Sequence, residues 1–260
     1  MNLTDDQLDR YARHIVLREV GGIGQKKLLQ SKVLIVGAGG LGSPLIMYLA
    51  AAGVGTIGVV DDDVVDLSNL QRQIAHGMTD IGTPKVLSAA KSVAEINPDV
   101  KLIPHTERLT VDNVEMLFSD YDLIADGSDN FDTRFLINDA CYFLKKPLVS
   151  AAMLQFEGQL STYKAFEGDE HPCYRCIFPA PPPDDVARTC GEAGVLGALA
   201  GTMGSLQATE ILKELLGAGQ SLSGSLVIYD ALYTEFRKVK VRPDPVCALC
   251  GPNPTITKLG

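Results

Sequence analysis

A chain of 260 residues has the length of one large α/β domain or of two small ones. Apolar residues make up 46% and charged residues 21%, values typical of a globular protein, so a disordered chain is excluded. The 23 basic and 32 acidic side chains give a net charge of −9. That charge argues against non-specific binding to nucleic acid or to an anionic membrane.

The N-terminus is charged and lacks the apolar core of a signal peptide. No charge occurs from Val33 to Val60, a stretch long enough to cross a bilayer, but its glycines and Pro44 divide it into strand, turn, helix and strand. We therefore expect no membrane span and a cytoplasmic protein. In that compartment thiols stay reduced, and Cys-x-x-Cys pairs hold metal or do redox chemistry.

Helical and strand patterns alternate along the first 152 residues. Apolar spacing predicts a helix over residues 5–18 and a short second helix over 23–29. The continuous apolar run from Lys32 to Val36 is typical of a central parallel strand. The later predicted helices cover 43–52, 84–96, 111–118 and 131–144, and the strands 56–60, 100–104, 121–125 and 147–151. This alternation predicts a doubly wound parallel sheet.

After Ala152 the pattern changes to antiparallel strands, predicted at 158–164, 223–229 and 234–241. A Pro-rich loop over 178–185 and a Gly/Ala-rich helix over 194–216 lie between them. The predicted fold class is α/β, a Rossmann-like doubly wound sheet whose parallel N-terminal half continues into antiparallel strands. We expect one domain over 1–260, made of a helical arm (1–30), a nucleotide-binding half (31–152) and a second half (153–260).

A glycine loop follows the first predicted strand. Gly37, Gly39 and Gly42 form a Gly-x-Gly-x-x-Gly motif, and Asp61 ends the next strand. The glycines permit a tight turn and a close approach of phosphate to the helix N-terminus, while Asp61 would accept hydrogen bonds from a ribose. Taken alone, the motif favours NAD over ATP. The alternative is a glycine-rich turn that binds no ligand.

Cationic and acidic residues follow the predicted strands. A nucleoside triphosphate carries about four negative charges, and Arg72 and Lys85 are suited to bind its phosphates. The alternative interpretation of Lys85 is a solvated surface lysine that binds no ligand. Asp129 follows the fourth strand, where it would either hold Mg²⁺ or cap the helix that begins at Phe131. The spacing does not decide between these two roles.

The six cysteines fall into three groups. Two Cys-x-x-Cys pairs favour a tetrahedral structural zinc site over a dithiol redox pair, and its predicted ligands are Cys173, Cys176, Cys247 and Cys250. Cys190 precedes a predicted helix whose dipole would lower its pKa, so it is either a nucleophile or an inert small residue. Cys141 lies within a predicted helix and is expected in the core.

Taken together, these segments resemble the MoeB and ThiF family, the enzymes that adenylate ubiquitin-like sulfur carriers. The resemblance covers nearly the whole chain and is carried by RYARHIVL, GAGGLGS, DDDVVDLSNLQRQ, the helix start at Lys85, DGSDNFDTR, CYRC, TCGEAGV and CALC. It implies ATP and Mg²⁺ rather than NAD, with nucleotide contacts from Gly40, Asp61, Ser68, Asn69, Leu70, Gln71, Arg72, Lys85, Asp129 and Asn130.

The resemblance also implies the reaction and the partners. A carrier of the MoaD or ThiS type would bind the second half of the chain (153–260) and be adenylated on its C-terminal Gly-Gly carboxylate, with release of pyrophosphate. The product would be prepared for thiocarboxylation in molybdopterin or thiazole synthesis. Arg13 would reach the ATP of a neighbouring subunit, which implies a homodimer. Cys190 matches a cysteine that bonds to the carrier or its sulfur. The implied catalytic set is Arg13, Arg72, Lys85, Asp129 and Cys190.

Two further expectations concern the sulfur chemistry. No rhodanese-like extension follows Cys250, so a separate sulfur donor protein is expected. The segment TCGEAGV is somewhat closer to MoeB than to ThiF. The competing functions are an NAD(P)-dependent oxidoreductase, a tRNA-modifying dehydratase of the same superfamily, and a non-catalytic nucleotide sensor.

Overall fold

The computed structural model describes residues 3–181 and 194–260. Its helices are α1 (Asp5–Arg10), α2 (Ala12–Ile15), α3 (Gly21–Gln30), α4 (Gly42–Ala52), α5 (Lys85–Ile96), α6 (Val114–Ser119), α7 (Phe131–Leu144) and α8 (Gly197–Leu216). Its strands are β1 (Lys32–Val36), β2 (Thr56–Val60), β3 (Lys101–His105), β4 (Leu123–Asp126), β5 (Leu148–Leu154), β6 (Glu157–Tyr163), β7 (Ser225–Asp230) and β8 (Glu235–Lys240).

All eight of these strands form one sheet, in the order β3-β2-β1-β4-β5-β6-β7-β8. The strands from β3 to β5 in this order pair in parallel, and β6, β7 and β8 continue the sheet antiparallel. The predicted fold class is confirmed. The division into an arm and two halves stays a prediction.

Apolar side chains on both faces of β1 explain its uninterrupted hydrophobic run. Val33 and Ile35 belong to the core that packs against α4 and α8, whereas Leu34 and Val36 belong to the core beneath α6 and α7. Because successive side chains of a strand point to opposite faces, a central strand covered on both sides has no polar position.

The predicted helix over 5–18 is wrong in one respect. The chain leaves helical geometry at Tyr11, which separates α1 from α2, and α2 ends at Ile15. The Tyr11 side chain is buried, and its hydroxyl accepts a hydrogen bond from Nδ2 of Asn97 at 2.8 Å. The packing of this single side chain therefore overrides the local helical pattern.

The topology places the site. The chain passes from β1 outward to β2 and β3, then returns to β4 on the other side of β1. The carboxyl ends of β1 and β4 thus border the point where the strand order reverses, the position at which open α/β sheets bind ligands.

The uncharged stretch from Val33 to Val60 divides into β1, α4 and β2. The described ranges contain no helix with the length and apolarity of a membrane span.

Candidate nucleotide-binding and metal sites

The glycine loop crosses closely over the segment that follows β4. Gly37 has φ +97°, and a Cβ there would lie 2.9 Å from the carbonyl oxygen of Gly127. A Cβ on Gly42 would overlap the carbonyl oxygen of Gly37. Both glycines are therefore required by the backbone itself, which brings the start of α4 against the carboxyl ends of β1 and β4.

Two side chains hold the loop residue Ala38 from opposite sides. Oδ2 of Asp61 accepts a hydrogen bond from the Ala38 N–H at 2.7 Å. Nε2 of His76 lies 3.1 Å from the Ala38 carbonyl oxygen, and Nδ1 of His76 lies 2.8 Å from Oγ of Ser88. A carbonyl oxygen only accepts, so Nε2 carries the proton and Nδ1 accepts from the Ser88 hydroxyl. Burial raises the pKa of Asp61, and the nearby Lys85 ammonium opposes that shift.

The buried imidazole makes stability depend on pH. Burial lowers the pKa of His76 below its usual 6.5, so the unfolded chain binds this proton more readily than the folded one. Stability from this group is therefore complete above about pH 6.5 and is lost as the pH falls toward the folded-state pKa, by at most about 1.4 kcal/mol per pH unit. Urea unfolding between pH 7.5 and 5 should show a smaller loss in His76→Gln than in the wild type, and equal losses would contradict this origin.

A cavity of about 390 Å³ opens beside the glycine loop. Many of the predicted nucleotide residues line it: Gly37, Gly39, Gly40, Asp61, Asn69, Arg72, Lys85, Asp129 and Asn130. Further parts of its wall come from β5, β6 and the segment after them, including Ala152, Gln159, Tyr174 and Phe178. The cavity therefore runs from the parallel part of the sheet across to the antiparallel part.

Other predicted residues lie off this cavity. Gly42 begins α4, and Ser68 donates its hydroxyl hydrogen bond to Oδ1 of Asp66 at 2.7 Å. Leu70 is half-buried outside the cavity wall, and Gln71 packs against Gly197 at the start of α8. Arg13 is exposed on α2, also away from the wall. Cys190 lies outside the described residues.

Among the described residues, three cationic side chains line the cavity: Arg72, Lys85 and Arg134. Lys85 is buried, and its Nζ lies 2.6 Å from Oδ2 of Asp63. Nη1 of Arg72 donates to the Ser68 carbonyl at 3.2 Å, and Nη2 of Arg134 donates to the Ser128 carbonyl at 2.6 Å. Within the described ranges, neither arginine has a carboxylate at ion-pair distance. Both guanidinium groups therefore remain available to an anion.

Arg134 was missed by the sequence reasoning, although it stands within DGSDNFDTR. It is buried one turn into α7, whose N-terminus lies at the carboxyl end of β4. The available signal was a cationic side chain in the first turns of a helix that starts at the ligand-binding edge of a parallel sheet. Asp63 was missed in the same way, because only the fold brings it to Lys85.

The two roles weighed for Asp129 are now distinguishable. The side chain that caps α7 is Asn130, whose Oδ1 accepts from the Thr133 N–H at 2.9 Å. Asp129 is exposed and lines both the main cavity and a neighbouring one of about 250 Å³. The capping alternative for Asp129 is therefore wrong. Its carboxylate makes no capping bond to α7 and lines both cavities.

The four cysteines of the two Cys-x-x-Cys pairs form one cluster. Their Sγ atoms all lie within 4.8 Å of one another, with Cys173–Cys247 at 3.6 Å and Cys176–Cys250 at 3.4 Å. Four thiolates bound at 2.3 Å around a tetrahedral zinc stand about 3.8 Å apart. Every cysteine that the structure describes carries a free thiol. The donor set fits zinc, and a four-thiolate site leaves no open position for catalysis. A metal bound there would join the Tyr174–Cys176 turn to the C-terminal segment.

The Rossmann-like sheet with its glycine loop and cation-lined cavity is the arrangement of nucleotide-binding α/β proteins, and the four-cysteine cluster could hold a structural metal. The chain belongs to the ThiF family, whose model matches residues 11–249. The predicted family is thereby confirmed.

Similar proteins cover the whole chain. It is 48% identical over 261 residues to the sulfur carrier protein adenylyltransferase of Thermus thermophilus, covering 100% of this chain and 96% of that protein. It is 50% identical over 251 residues to the SAMP-activating enzyme E1 of Haloferax volcanii, covering 96% and 92%. The adenylyltransferase and sulfurtransferase MOCS3 of Sus scrofa is 50% identical over 258 residues, which are 99% of this chain and 56% of that protein.

Solved structures share the fold at lower identity. A crystal structure of E. coli MccB with MccA-N7isoASN superimposes with a TM-score of 0.81 and 19% sequence identity, covering 96% of this chain and 76% of that chain. At this identity the likeness concerns the fold alone.

Proposed function

We propose that this protein is an ATP-dependent adenylyltransferase that activates the C-terminal carboxylate of a ubiquitin-like sulfur carrier. The names of the relatives that match nearly their full length support the enzyme class. The observation that carries the proposal is the cavity itself, which brings the glycine loop, three cations and an unengaged aspartate around one space. A dinucleotide has only two phosphates, so this concentration of cations favours a triphosphate.

In the proposed reaction, several cavity residues together offset the negative charge of the triphosphate. Arg72, Lys85 and Arg134 would offset the charge of the triphosphate, and the loop held by Asp61 leads into the N-terminus of α4, an end of a helix that favours anions. Asp129 would hold Mg²⁺, which supplies further charge neutralisation on the phosphate oxygens when bound. Positioning and electrostatic stabilisation carry most of the rate enhancement in such transfers.

The chemical step needs no general base. The carrier carboxylate is ionised at pH 7 and attacks the α-phosphorus directly. A new bond forms between the carboxylate oxygen and the α-phosphorus as the bond to the bridging oxygen breaks, and pyrophosphate leaves with its electrons. The product is a mixed anhydride of the carrier and AMP. A sulfur nucleophile from a separate donor protein then attacks its carbonyl carbon and releases AMP.

The antiparallel side of the cavity is the proposed entrance for the carrier tail. Ala152 and Gln159 from neighbouring strands and Phe178 beyond them line this side. A Gly-Gly terminus suits such a passage, since it carries no side chain and adopts extended or turned backbone freely. Such a tail fits a carrier of the MoaD or ThiS type, and the pathway that we propose is molybdopterin or thiazole synthesis.

The family resemblance supports three further proposals. Arg13 completes the site of a second subunit in a homodimer, and exposed apolar residues near it on the same arm favour association, namely Val16, Leu17 and Ile23. Cys190 forms a covalent bond with the carrier or its sulfur after adenylation. The protein works in the cytoplasm, where the four thiols of the metal site stay reduced.

Carrier-dependent exchange of radioactive pyrophosphate into ATP tests the proposal. The wild type should exchange only with a carrier that ends in Gly-Gly, and Asp129→Ala should lose at least about 100-fold because the cation loses its protein ligand. Asp132→Ala removes an exposed carboxylate three residues further on and should retain exchange. Cys190→Ala should also retain exchange, since adenylation precedes any thiol step. The adenylation mechanism would be ruled out if the exchange rate did not depend on the carrier, or if exchange persisted in Asp129→Ala.

A further inference from the structure

We propose that the side-chain amide of Gln73 donates a hydrogen bond to a phosphate oxygen of the bound nucleotide, and that the absence of a side chain at Gly39 keeps this contact open. The inference rests on the proposed function for the identity of the nucleotide. Gln73 follows Arg72 directly in the chain and lines the same cavity.

The Gln73 side chain is buried in the cavity wall without a protein partner. Only 3% of the residue is exposed, although it borders the nucleotide cavity. Its Oε1 is buried and accepts no hydrogen bond, and within the described residues its Nε2 has no acceptor. Buried amides normally bond to the protein, so an amide that lacks a protein partner and borders a cavity is suited to a ligand.

The backbone that carries this amide is fixed against the glycine loop. The Gln73 N–H donates to the carbonyl of Asn69 at 2.9 Å, and the Gln73 carbonyl accepts from the N–H of His76 at 3.1 Å. The His76 side chain in turn contacts the carbonyl of Ala38 in the glycine loop. The turn that contains Gln73 is therefore tied to the loop, and the amide is positioned relative to that loop before a ligand binds.

The glycines of the loop motif differ in what a side chain would meet. At Gly37 and Gly42 a Cβ would collide with backbone atoms. The φ angle of Gly39 lies outside the left-handed region, and among the described residues a Cβ there would approach only Nε2 of Gln73, at 3.8 Å. The fold itself therefore tolerates alanine at position 39. What a side chain would cover there is the Gln73 amide, so the glycine keeps the space in front of Nε2 open.

A phosphate oxygen is the acceptor that suits this position. Gly39 lies in the loop that leads into the N-terminus of α4, where anions are favoured. The neighbouring cation is close by, since Cδ of Arg72 lies 3.5 Å from the place of a Cβ on Gly40. Ionised phosphate oxygens accept hydrogen bonds and do not donate them, so they pair with Nε2 of Gln73 and not with its Oε1.

Calorimetric titration of the zinc-loaded protein with α,β-methylene-ATP and Mg²⁺ tests the contact. Gln73→Met keeps the length of the side chain but removes the amide, and we expect about 5-fold weaker binding, the usual effect of one hydrogen bond. Adenosine, which has no phosphate, should bind the wild type and the variant equally. Unchanged affinity for the analogue, or an equal loss for adenosine, would overturn the proposal.

Thermal unfolding without nucleotide separates this role from a structural one. Because the Gln73 amide has no protein partner, Gln73→Met should keep the melting temperature of the free protein or raise it by up to about 4 °C. Gln25→Met is the matched control, since Gln25 is buried away from the cavity and its amide contacts the Ala52 carbonyl and the His14 ring. This control should lose stability and keep its affinity for the analogue. Equal losses of stability in the two variants would make the Gln73 amide a structural group and overturn the proposal.

A double-mutant cycle with Gly39→Ala tests the second part of the proposal. Gly39→Ala should leave the melting temperature within about 2 °C of the wild type but weaken binding of the analogue at least about 5-fold, because the methyl group covers the amide. Added to Gly39→Ala, Gln73→Met should then weaken binding by less than about 2-fold. Fully additive losses would show that Gly39 acts only by letting the backbone approach the phosphate, and would overturn the assignment.

The outcomes for this inference and for the proposed function are distinguishable, because none of these binding measurements involves the carrier. Normal carrier-dependent exchange in the wild type, together with unchanged analogue affinity in Gln73→Met, would refute this inference alone. Weakened binding in Gln73→Met, together with exchange in the wild type that does not depend on the carrier, would refute the proposed function alone.

Discussion

Replacing Lys85 with alanine should lower carrier-dependent pyrophosphate exchange by about 10²–10³-fold while leaving the protein folded. Lys85 begins α5, is buried, and brings an ammonium to the cavity wall beside Asp61 and Asp63. In the proposed function the triphosphate would bind beside this ammonium, so removal of the cation would leave negative charge uncompensated in a poorly solvated site.

The Lys85→Ala protein should stay folded because Asp63, the ion-pair partner of Lys85, remains solvated. Asp63 lies 2.6 Å from Lys85, but 68% of its side chain is exposed, so water can solvate the carboxylate in the variant. Lys91→Ala is the control on the same helix, since the Lys91 side chain is 58% exposed and pairs with Asp80 at 3.4 Å. Exchange rates and far-ultraviolet circular dichroism should be compared for both variants. Equal activity in the two would show that Lys85 is a structural residue only.

Much of the fold was predictable because local pattern and burial agree. The strand from Lys32 to Val36 and the helix from Phe131 to Leu144 occur where the sequence predicts them. In the second half, alternating side chains marked the antiparallel strands to within a few residues. The break at Tyr11 was not predictable, because it depends on Asn97, 86 residues away in the chain.

Part of the candidate site was also predictable from the sequence, and part was not. Sequence spacing predicted the glycine loop and the two Cys-x-x-Cys pairs, because the loop and each pair consist of residues close together in the chain. The holding of Ala38 by Asp61 and His76 depends on contacts 23 and 38 residues apart. The hydrogen bond from the Tyr174 N–H to Oδ1 of Asn138 likewise joins the cysteine turn to α7 across 36 residues. Such roles follow only from the tertiary structure.

The second large effect concerns the metal site. Cys250→Ser should abolish stoichiometric zinc binding and lower the free energy of unfolding by more than about 4 kcal/mol. The cysteine-rich segment lies beyond β8, outside regular secondary structure, and its local apolar cluster is small. Buried Leu249 packs there with the cysteines and a few partly buried neighbours, including Tyr142 and Ile256. So few apolar contacts offset little of the conformational entropy of ordering this segment, and we therefore expect bound zinc to contribute most of the difference.

Zinc content by mass spectrometry, urea unfolding and amide hydrogen exchange together check this result. Protection should fall first around Tyr174–Cys176 and in the C-terminal segment, because these are the two parts that the metal joins. Cys141→Ala is the matched control: it removes a buried thiol from α7 outside the cluster and should cost only about 1 kcal/mol with full zinc content. If Cys250→Ser kept one zinc per chain, or if both variants lost equal stability, then metal binding by the four cysteines would not be what stabilises the C-terminal segment.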